Sequence, residues 1–192
     1  MRSLILCSAL VALGASVYAA APIPRPAQQL EIADASGKHL LSSYKGKVVV
    51  VQFLLTTCPH CQAFSGILTK LQAEYGPRGF QALGAAVNEA TPQMAKDYAA
   101  KYAPNFPVGP LSEELVFPFM SMSIMERPGF PQIVVIDRKG EIREQTTSVN
   151  EKQALQDEMH LRALVEKLLA EPAVGVSGAK APAASATKKP AS

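Results

Sequence analysis

The chain lacks a strong excess of charge of either sign. Its 192 residues include 19 Lys and Arg against 16 Asp and Glu, which gives a net charge of +3. Proteins that bind nucleic acid or an anionic membrane surface concentrate basic side chains, and the sequence has no such concentration. We therefore expect no nucleic-acid partner. Internal repeats are also lacking, and a chain of this length that is 48% hydrophobic predicts one domain with appendages.

A long apolar run is lacking as well. One basic residue, Arg2, precedes an apolar segment at 4–13, which is shorter than the roughly 20 residues that a spanning helix needs. This pattern predicts a signal peptide over 1–21, cleaved after Ala19 or Ala21, with an uncleaved anchor as the alternative. We expect an exported protein, periplasmic or otherwise extracytoplasmic, with no membrane span after cleavage.

Cysteine is scarce, since the sequence contains only Cys7, Cys58 and Cys61. Cys7 lies in the predicted signal peptide, so the mature chain keeps one pair, which in an oxidising compartment favours redox chemistry. A zinc site would need a second pair of Cys or His ligands, which the histidines do not supply. A structural disulfide is the other alternative, but closing so short a loop constrains the unfolded chain little. We expect no metal and no cofactor.

Both ends of the mature chain are poor in residues that build a core. Residues 21–26 hold three prolines, which predicts an extended tether over 22–27. Residues 172–192 contain no aromatic side chain and are rich in Ala, Pro, Ser and Lys, which predicts a disordered tail. The folded domain is therefore expected over 28–171.

Strand and helix patterns alternate within that domain. Predominantly apolar runs without alternation at 48–55 and 80–87 predict strands buried on both faces, joined by a helix that opens at Cys58-Pro59. Two strands joined by a helix form a crossover with parallel pairing, which indicates an α/β fold. Thr91-Pro92 predicts the start of a second helix.

Turn-forming residues predict a hairpin near each end of the domain. The first spans 29–41 and is expected at a sheet edge, and the second spans 132–147. Between them, we expect a short helix capped by Ser112 and interrupted at Pro118. The last helix is predicted over 150–170, with an apolar face formed by Leu155, Met159, Leu164, Val165 and Leu168.

The cysteine pair stands where the first buried strand gives way to a helix. Cys58 is at the helix N-terminus, where free N–H groups and the helix dipole stabilise a thiolate. Pro59 suits the first helical turn, because its missing N–H is not needed there. Cys61 follows one turn later, close enough to attack a mixed disulfide formed on Cys58. We predict Cys58 as the attacking thiol and Cys61 as the resolving thiol, in exchange with protein thiols and disulfides.

Three histidines need an interpretation. His60 lies between the cysteines, where an imidazole can stabilise the Cys58 thiolate and make the protein a stronger oxidant. An exposed spacer without effect is the alternative. His39 and His160 have no partner that the sequence reveals, so we expect ordinary surface or satisfied side chains.

Three segments carry a resemblance to a known family: 43–51 leading into Cys58-Pro59-His60-Cys61, 129–138, and 140–142. Through them, residues 31–170 resemble the TlpA/ResA-like redoxin branch of the thioredoxin superfamily, which comprises exported thiol–disulfide oxidoreductases. The resemblance implies a thioredoxin-like fold, with a central mixed β-sheet flanked by helices and an N-terminal β-hairpin. It also implies a membrane or soluble redox partner.

The resemblance further implies roles for residues outside the cysteine pair. Pro131 would be a cis-proline that faces the active disulfide, and Phe130 would present its backbone to a bound peptide. Thr57 replaces the Trp that members of this family usually carry before the first cysteine. Phe130 and Thr57 are therefore the expected substrate-binding residues. The expected catalytic residues are Cys58, Pro59, His60, Cys61 and Pro131.

Two departures from the family bear on the direction of electron flow. Gln52 replaces the acid of thioredoxin, and Phe64 replaces the acid of some ResA-like proteins, so Cys61 lacks its usual carboxylate for deprotonation. The Cys-Pro-His-Cys motif and Phe64 look like the oxidant DsbA. A thiol peroxidase is a second candidate, although peroxiredoxins require Thr where this chain has Leu55. A redox-inert binding module on the same fold is the third.

Overall fold

The computed structural model describes residues 21–103, 105–123, 125, 128–147 and 154–172. The predicted signal peptide and tail, apart from Ala21 and Pro172, lie outside these residues. The described residues form eight strands and four α-helices: β1 (Arg25–Pro26), β2 (Glu31–Asp34), β3 (Gly37–Leu40), β4 (Val48–Leu54), α1 (Pro59–Tyr75), β5 (Phe80–Ala86), α2 (Pro92–Tyr102), β6 (Val108–Pro110), α3 (Val116–Met120), β7 (Gln132–Ile136), β8 (Glu141–Gln145) and α4 (Glu158–Ala170).

The central sheet is mixed, and its strands follow the order β1-β8-β7-β4-β5-β6. β4 lies between β5, to which it is parallel, and β7, to which it is antiparallel. Every residue of β4 is buried, because Val50 and Leu54 enter the core on one face while Val51 and Phe53 enter the core on the other. Burial on both faces explains the apolar run without alternation. The predicted α/β architecture with a parallel crossover through α1 is confirmed.

The N-terminal hairpin is confirmed, but it does not extend the central sheet. β2 and β3 pair antiparallel, with Glu31 opposite Leu40, and form a sheet of their own. The edge strand next to β8 in the central sheet is β1, in which Arg25 pairs with Ile142 of β8. The tether predicted over 22–27 is therefore corrected at β1, since proline is tolerated on an edge strand.

Helices α1 and α2 begin where the sequence predicts. Cys58 is the N-cap of α1, and Pro59 occupies its first position. Thr91 caps α2, and its hydroxyl accepts the backbone N–H of Met94 at 3.2 Å. Because both caps are local, these starts could be predicted from a few residues.

The short helix after β6 differs from its prediction. Ser112 precedes a 3₁₀ turn at Glu113–Leu115 and makes no side-chain capping bond. Pro118 does not interrupt the helix but lies within the first turn of α3. A proline costs little at that position, because the first N–H groups of a helix have no intrahelical partner.

The last helix starts at Glu158 instead of residue 150, and residues 148–153 lie outside the described ones. Asp157 caps it, and the carboxylate accepts the N–H of His160 at 2.9 Å. The new start places Met159 on the open side, where the residue is 78% exposed, although it was predicted on the apolar face. The buried residues of this segment are Leu155, Leu161, Val165, Leu168 and Leu169.

Candidate functional site

The two cysteines lie at the junction between β4 and α1, and both are free thiols. The sulfur of Cys58 accepts the backbone N–H of Cys61 at 3.4 Å, and the Cys58 carbonyl oxygen accepts the N–H of Gln62 at 3.1 Å. The unpaired N–H groups of the first helical turn make this end of α1 electropositive. Cys58 is partly exposed, whereas Cys61 is fully buried. Of the two thiols, only Cys58 is open to a protein partner.

The loop before β7 faces Cys58. The Cys58 thiol lies 3.7 Å from the carbonyl oxygen of Phe130, to which it donates. The Phe130–Pro131 peptide bond is cis, as the resemblance implies. Pro131 is buried, and Phe130 is partly buried and packs against the core on both faces of the sheet. The fold thus brings a backbone carbonyl from a distant part of the chain beside the first cysteine.

The side chain of Gln132 stabilises the loop before β7 through hydrogen bonds. Its side-chain amide donates to the carbonyl oxygen of Gly129 and accepts the hydroxyl of Thr146. Thr146 also accepts the backbone N–H of Ile133 at 2.9 Å. No role was predicted for Gln132 or Thr146 from the sequence. The available signal was a polar side chain at the first position of an otherwise apolar strand, since buried polar groups need partners.

The exposed rim of the site is formed by Thr57, Pro59 and His60. The preceding residue, Thr56, is fixed by two side chains that the sequence analysis did not single out. Asn88 accepts the N–H of Thr56 at 3.2 Å and donates to its hydroxyl at 3.0 Å, and Gln62 donates to its carbonyl oxygen at 3.1 Å. The loop that presents Cys58 is therefore held by the loop after β5 and by the first turn of α1.

A buried polar chain lies behind Cys61. Gln52 Nε2 donates to the carbonyl oxygen of Cys61 at 2.9 Å, and Gln52 Oε1 accepts the hydroxyl of Ser65 at 2.8 Å. The Tyr98 hydroxyl lies 2.8 Å from Ser65 Oγ. Gln52 was recognised as the replacement for an acid, but Ser65 and Tyr98 were missed. Ser65 gives a signal, because it interrupts the apolar face of α1.

Burial separates the chemistry of the two thiols. It raises the pKa of the Cys61 thiol to about 12, because the charged form would be poorly solvated there. Burial also raises the pKa of Tyr98, with a smaller contribution from the charges of the two cysteine sulfurs. Both groups are therefore protonated near neutral pH.

An open groove of about 470 Å³ lies between the loop that precedes Cys58 and α2. Thr56 and Thr57 form its wall next to Cys58, and α2 supplies the opposite wall. Another cavity, of about 340 Å³, lies between the N-terminal hairpin and α2 and is lined by neither cysteine. Neither cysteine lines the open groove, but Thr57, which directly precedes Cys58 in the chain, does. An open groove suits a polypeptide segment better than an enclosed small molecule.

The two remaining histidines have partners. His39 Nε2 lies 3.0 Å from the Asp34 carboxylate and its Nδ1 lies 2.8 Å from the Tyr44 hydroxyl, while His160 Nε2 lies 2.8 Å from the Glu144 carboxylate. Both are satisfied side chains, as expected. Among the described residues, no cluster of three or more His, Cys, Asp or Glu could hold a metal ion. The helices within the described ranges are too short or too polar to cross a membrane.

Known proteins of similar sequence and structure have exchange chemistry. The thiol-disulfide oxidoreductase ResA of Geobacillus kaustophilus is 26% identical over 173 residues, which cover 85% of this chain and 94% of that protein. A thiol:disulfide interchange protein of the thioredoxin family from Chlorobium tepidum TLS has a solved structure that matches with a TM-score of 0.63 and 26% identity. That match covers 78% of this chain and 99% of the other.

A shorter likeness points to peroxide chemistry. The "Probable glutathione peroxidase 8-B" of Xenopus laevis is 35% identical over 86 residues, which cover 41% of each chain. The model of the redoxin family matches residues 21–164. Together with the likenesses to ResA and to the interchange protein, this family match makes the chain a thiol–disulfide oxidoreductase of thioredoxin-like fold, in the ResA-like branch. The chain belongs to the redoxin family.

Proposed function

We propose that the Cys58/Cys61 pair carries the exchange reaction, and that its partners are the thiols and disulfides of other proteins outside the cytoplasm. The observation that carries the proposal is the difference in access between the two sulfurs. Cys58 is partly exposed at the N-terminus of α1, next in the chain to Thr57 of an open groove, whereas Cys61 is fully buried one turn later. A pair with one accessible and one protected thiol suits sequential attack by two nucleophiles.

In the reducing direction, the Cys58 thiolate attacks one sulfur of a partner disulfide. The partner S–S bond breaks, its second sulfur leaves as a thiolate, and a mixed disulfide joins Cys58 to the partner. Cys61 then loses its proton, and its thiolate attacks the Cys58 sulfur. The mixed disulfide breaks, the partner leaves as a second thiolate, and two electrons have moved from the pair to the partner. Oxidation of a partner dithiol is the reverse sequence.

The surrounding residues suit roles in this reaction. The first-turn N–H groups stabilise Cys58 as a thiolate, both as nucleophile and as leaving group. The backbone of Phe130, beside the Cys58 sulfur, is suited to pairing with a partner segment, with Pro131 fixing the loop. Thr57 and His60 lie exposed on the rim, where a bound partner would contact them.

The test is mechanism-based trapping. Cys61→Ser should accumulate disulfide-linked complexes with partner proteins, because the mixed disulfide on Cys58 can no longer be resolved. Cys58→Ser should trap none and should lack exchange activity, and it serves as the matched control. Equal trapping by both variants, or activity that survives in Cys58→Ser, would contradict the proposal.

A thiol peroxidase is the second candidate, favoured by the partial likeness to a glutathione peroxidase. Against it, Leu55 stands where peroxiredoxins carry the Thr that assists the peroxidatic cysteine. Peroxide consumption by the purified protein, measured beside disulfide reduction and dithiol oxidation, separates the two. We expect peroxide turnover to be far slower than disulfide exchange, and the opposite ranking would favour the peroxidase.

A further inference from the structure

The buried chain behind Cys61 has a fixed direction. The Cys61 carbonyl oxygen can only accept, so Gln52 must turn its NH₂ group toward it and its oxygen toward Ser65. The Ser65 hydroxyl proton is used in the bond to Gln52, so the Tyr98 hydroxyl must donate to Ser65. The three hydrogen bonds are therefore all donated in the same direction, from Tyr98 of α2 toward the backbone of Cys61.

We propose that Gln52, Ser65 and Tyr98 are positioning residues, which hold Cys61 for attack on the mixed disulfide through a hydrogen-bond chain that stays neutral. The inference rests on the proposed role of Cys61 as the resolving thiol. The chain ends on the Cys61 carbonyl oxygen instead of its sulfur, so it fixes the position of the thiol and supplies no base.

Neutrality follows from the groups that surround Cys61. The titratable groups that act on it are Cys58 from its own helix and Tyr98 from α2, while β4 contributes Gln52, which does not ionise. Tyr98 keeps its proton near neutral pH because burial raises its pKa. Attack by Cys61 should therefore follow the ionisation of Cys61 alone, with its proton passing to hydroxide or a buffer base.

The nearly isosteric change Gln52→Glu distinguishes this role from a merely structural one. The carboxyl group that Gln52→Glu introduces can, while protonated, donate to the Cys61 carbonyl oxygen as the amide does. Once ionised, the carboxylate loses that donor and repels the Cys61 thiolate, which lowers the thiolate fraction. The variant should match the wild type at low pH and fall behind it at high pH, whereas a packing defect would lower the rate equally at every pH.

The measurement uses the reduced full chain, with Cys7→Ser in every protein so that only two thiols react. A chromogenic aromatic disulfide reacts with Cys58 and releases one coloured thiolate, and attack by Cys61 on the resulting mixed disulfide releases a second. The rate of the second phase, followed by stopped flow across a range of pH, reports Cys61. The first phase and a thermal melt show that each variant is folded.

For the wild type, we expect the second-phase rate to rise about tenfold per pH unit through the accessible range, since the thiolate fraction does so below its pKa. The second-phase rate of Gln52→Glu should be at least about tenfold below that of the wild type once the introduced carboxyl group ionises. Gln52→Leu should be slower by about twofold to tenfold with the slope unchanged, which matches the loss of one hydrogen bond. Tyr98→Phe should show a smaller, parallel decrease.

Gln72→Glu is the matched control, because Gln72 is a polar residue of α1 whose side chain accepts the N–H of Ala82, away from Cys61. It should keep the wild-type slope. A Gln52→Glu profile parallel to or above the wild type, or an unchanged rate in Gln52→Leu, overturns the inference. Absence of any second phase in the wild type would instead refute the proposed role of Cys61, so the two failures are distinguishable.

Discussion

Cys58 and Cys61 lie one helical turn apart, with the backbone N–H of Cys61 3.4 Å from the sulfur of Cys58, yet the two sulfurs occupy opposite environments. Cys58 is partly exposed at the electropositive end of α1. Cys61 is fully buried, and this raises the pKa of its thiol to about 12. One short motif therefore supplies one accessible thiol and one protected thiol.

The first prediction concerns the order of alkylation. In the reduced protein at neutral pH, iodoacetamide should label Cys58 at least about 100-fold faster than it labels Cys61. The reason is that a thiol with a pKa near 12 holds very little thiolate. Peptide mass spectrometry after a timed quench measures both sites. In denaturant, the two rates should converge. Faster labelling of Cys61 in the folded protein would reverse the assignment of the two thiols.

The second prediction concerns stability and pH. Folded Cys61 keeps its proton up to about pH 12, whereas an unfolded cysteine loses it near about pH 8.5. Between these values the unfolded state binds fewer protons, so the stability of the reduced protein falls as pH rises. The contribution of Cys61 is fully present below about pH 8.5 and is lost at up to about 1.4 kcal/mol per pH unit above it.

Urea unfolding in reductant, at about pH 8 and about pH 10, measures this loss, and Cys61→Ala is the control. Tyr98 contributes with the same sign in both proteins, because its pKa is also raised, so its effect cancels in the comparison. The wild type should lose about 1 to 2 kcal/mol more than the variant between the two conditions. Equal losses would mean that Cys61 is not protected from ionisation in the folded state.

The third prediction concerns the reduction potential, which we expect to be more oxidising than the about −270 mV of thioredoxin. An exposed imidazole at His60, two residues after Cys58, and the neutral Gln52 in place of a buried acid would both favour the reduced pair. Equilibration with glutathione buffers gives the potential of the wild type and of His60→Ala. The variant should be more reducing, by about 30 mV for each 1.4 kcal/mol lost. No change on replacing His60 would favour the exposed-spacer alternative.

The sequence predicted those parts of the fold and site that depend on neighbours in the chain. The N-cap position of Cys58, the cap at Thr91 and the two-sided burial of β4 each follow from a few adjacent residues. The exact start of α4 did not, because the cap at Asp157 outweighs the apolar spacing that had placed Met159 in the core.

Contacts between distant segments were missed for a different reason. Ser65 and Tyr98 meet only because α1 and α2 pack on the same face of the sheet, so neither residue alone indicates a polar chain. The edge strand at Arg25 was not predicted because three nearby prolines lack the N–H groups that a hydrogen-bonded ladder uses. An edge strand pairs on one side alone, so it needs few of those groups and tolerates proline. Tertiary context decides both cases.

The fourth prediction concerns processing at the N-terminus. If residues 1–21 are a signal peptide, intact-mass analysis of the exported protein should give a mature chain that begins near Ala20 or Pro22. β1 starts at Arg25, so either cleavage would leave the edge strand whole. Recovery of full-length protein from the soluble exported fraction would contradict cleavage, and full-length protein in the membrane fraction would favour the uncleaved anchor.

The fifth prediction concerns the C-terminal end of the domain. Glu171 forms a bidentate ion pair with Arg143, with nitrogen–oxygen distances of 2.8 and 3.2 Å, and Arg143 also contacts the buried Asp137 at 2.9 Å. The Glu171 carbonyl oxygen accepts a bond from Arg138 at 3.1 Å. A chain ended at Glu171 should therefore keep the activity and melting temperature of the full chain.

A chain ended at Ala170, one residue shorter, should lose about 1 kcal/mol of stability, since the pair with Arg143 is bidentate but partly open to solvent. Among the described residues, Arg143 then keeps its ion pair with the buried Asp137, whose pKa stays below the usual value because hydrogen bonds from backbone N–H groups and from Arg143 outweigh the effect of burial. Urea unfolding of the two truncated chains, with Glu171→Gln in the full chain as control, separates the ion pair from chain length. If both truncations match the full chain, Glu171 adds nothing to the domain; if both lose activity, the predicted tail is not dispensable.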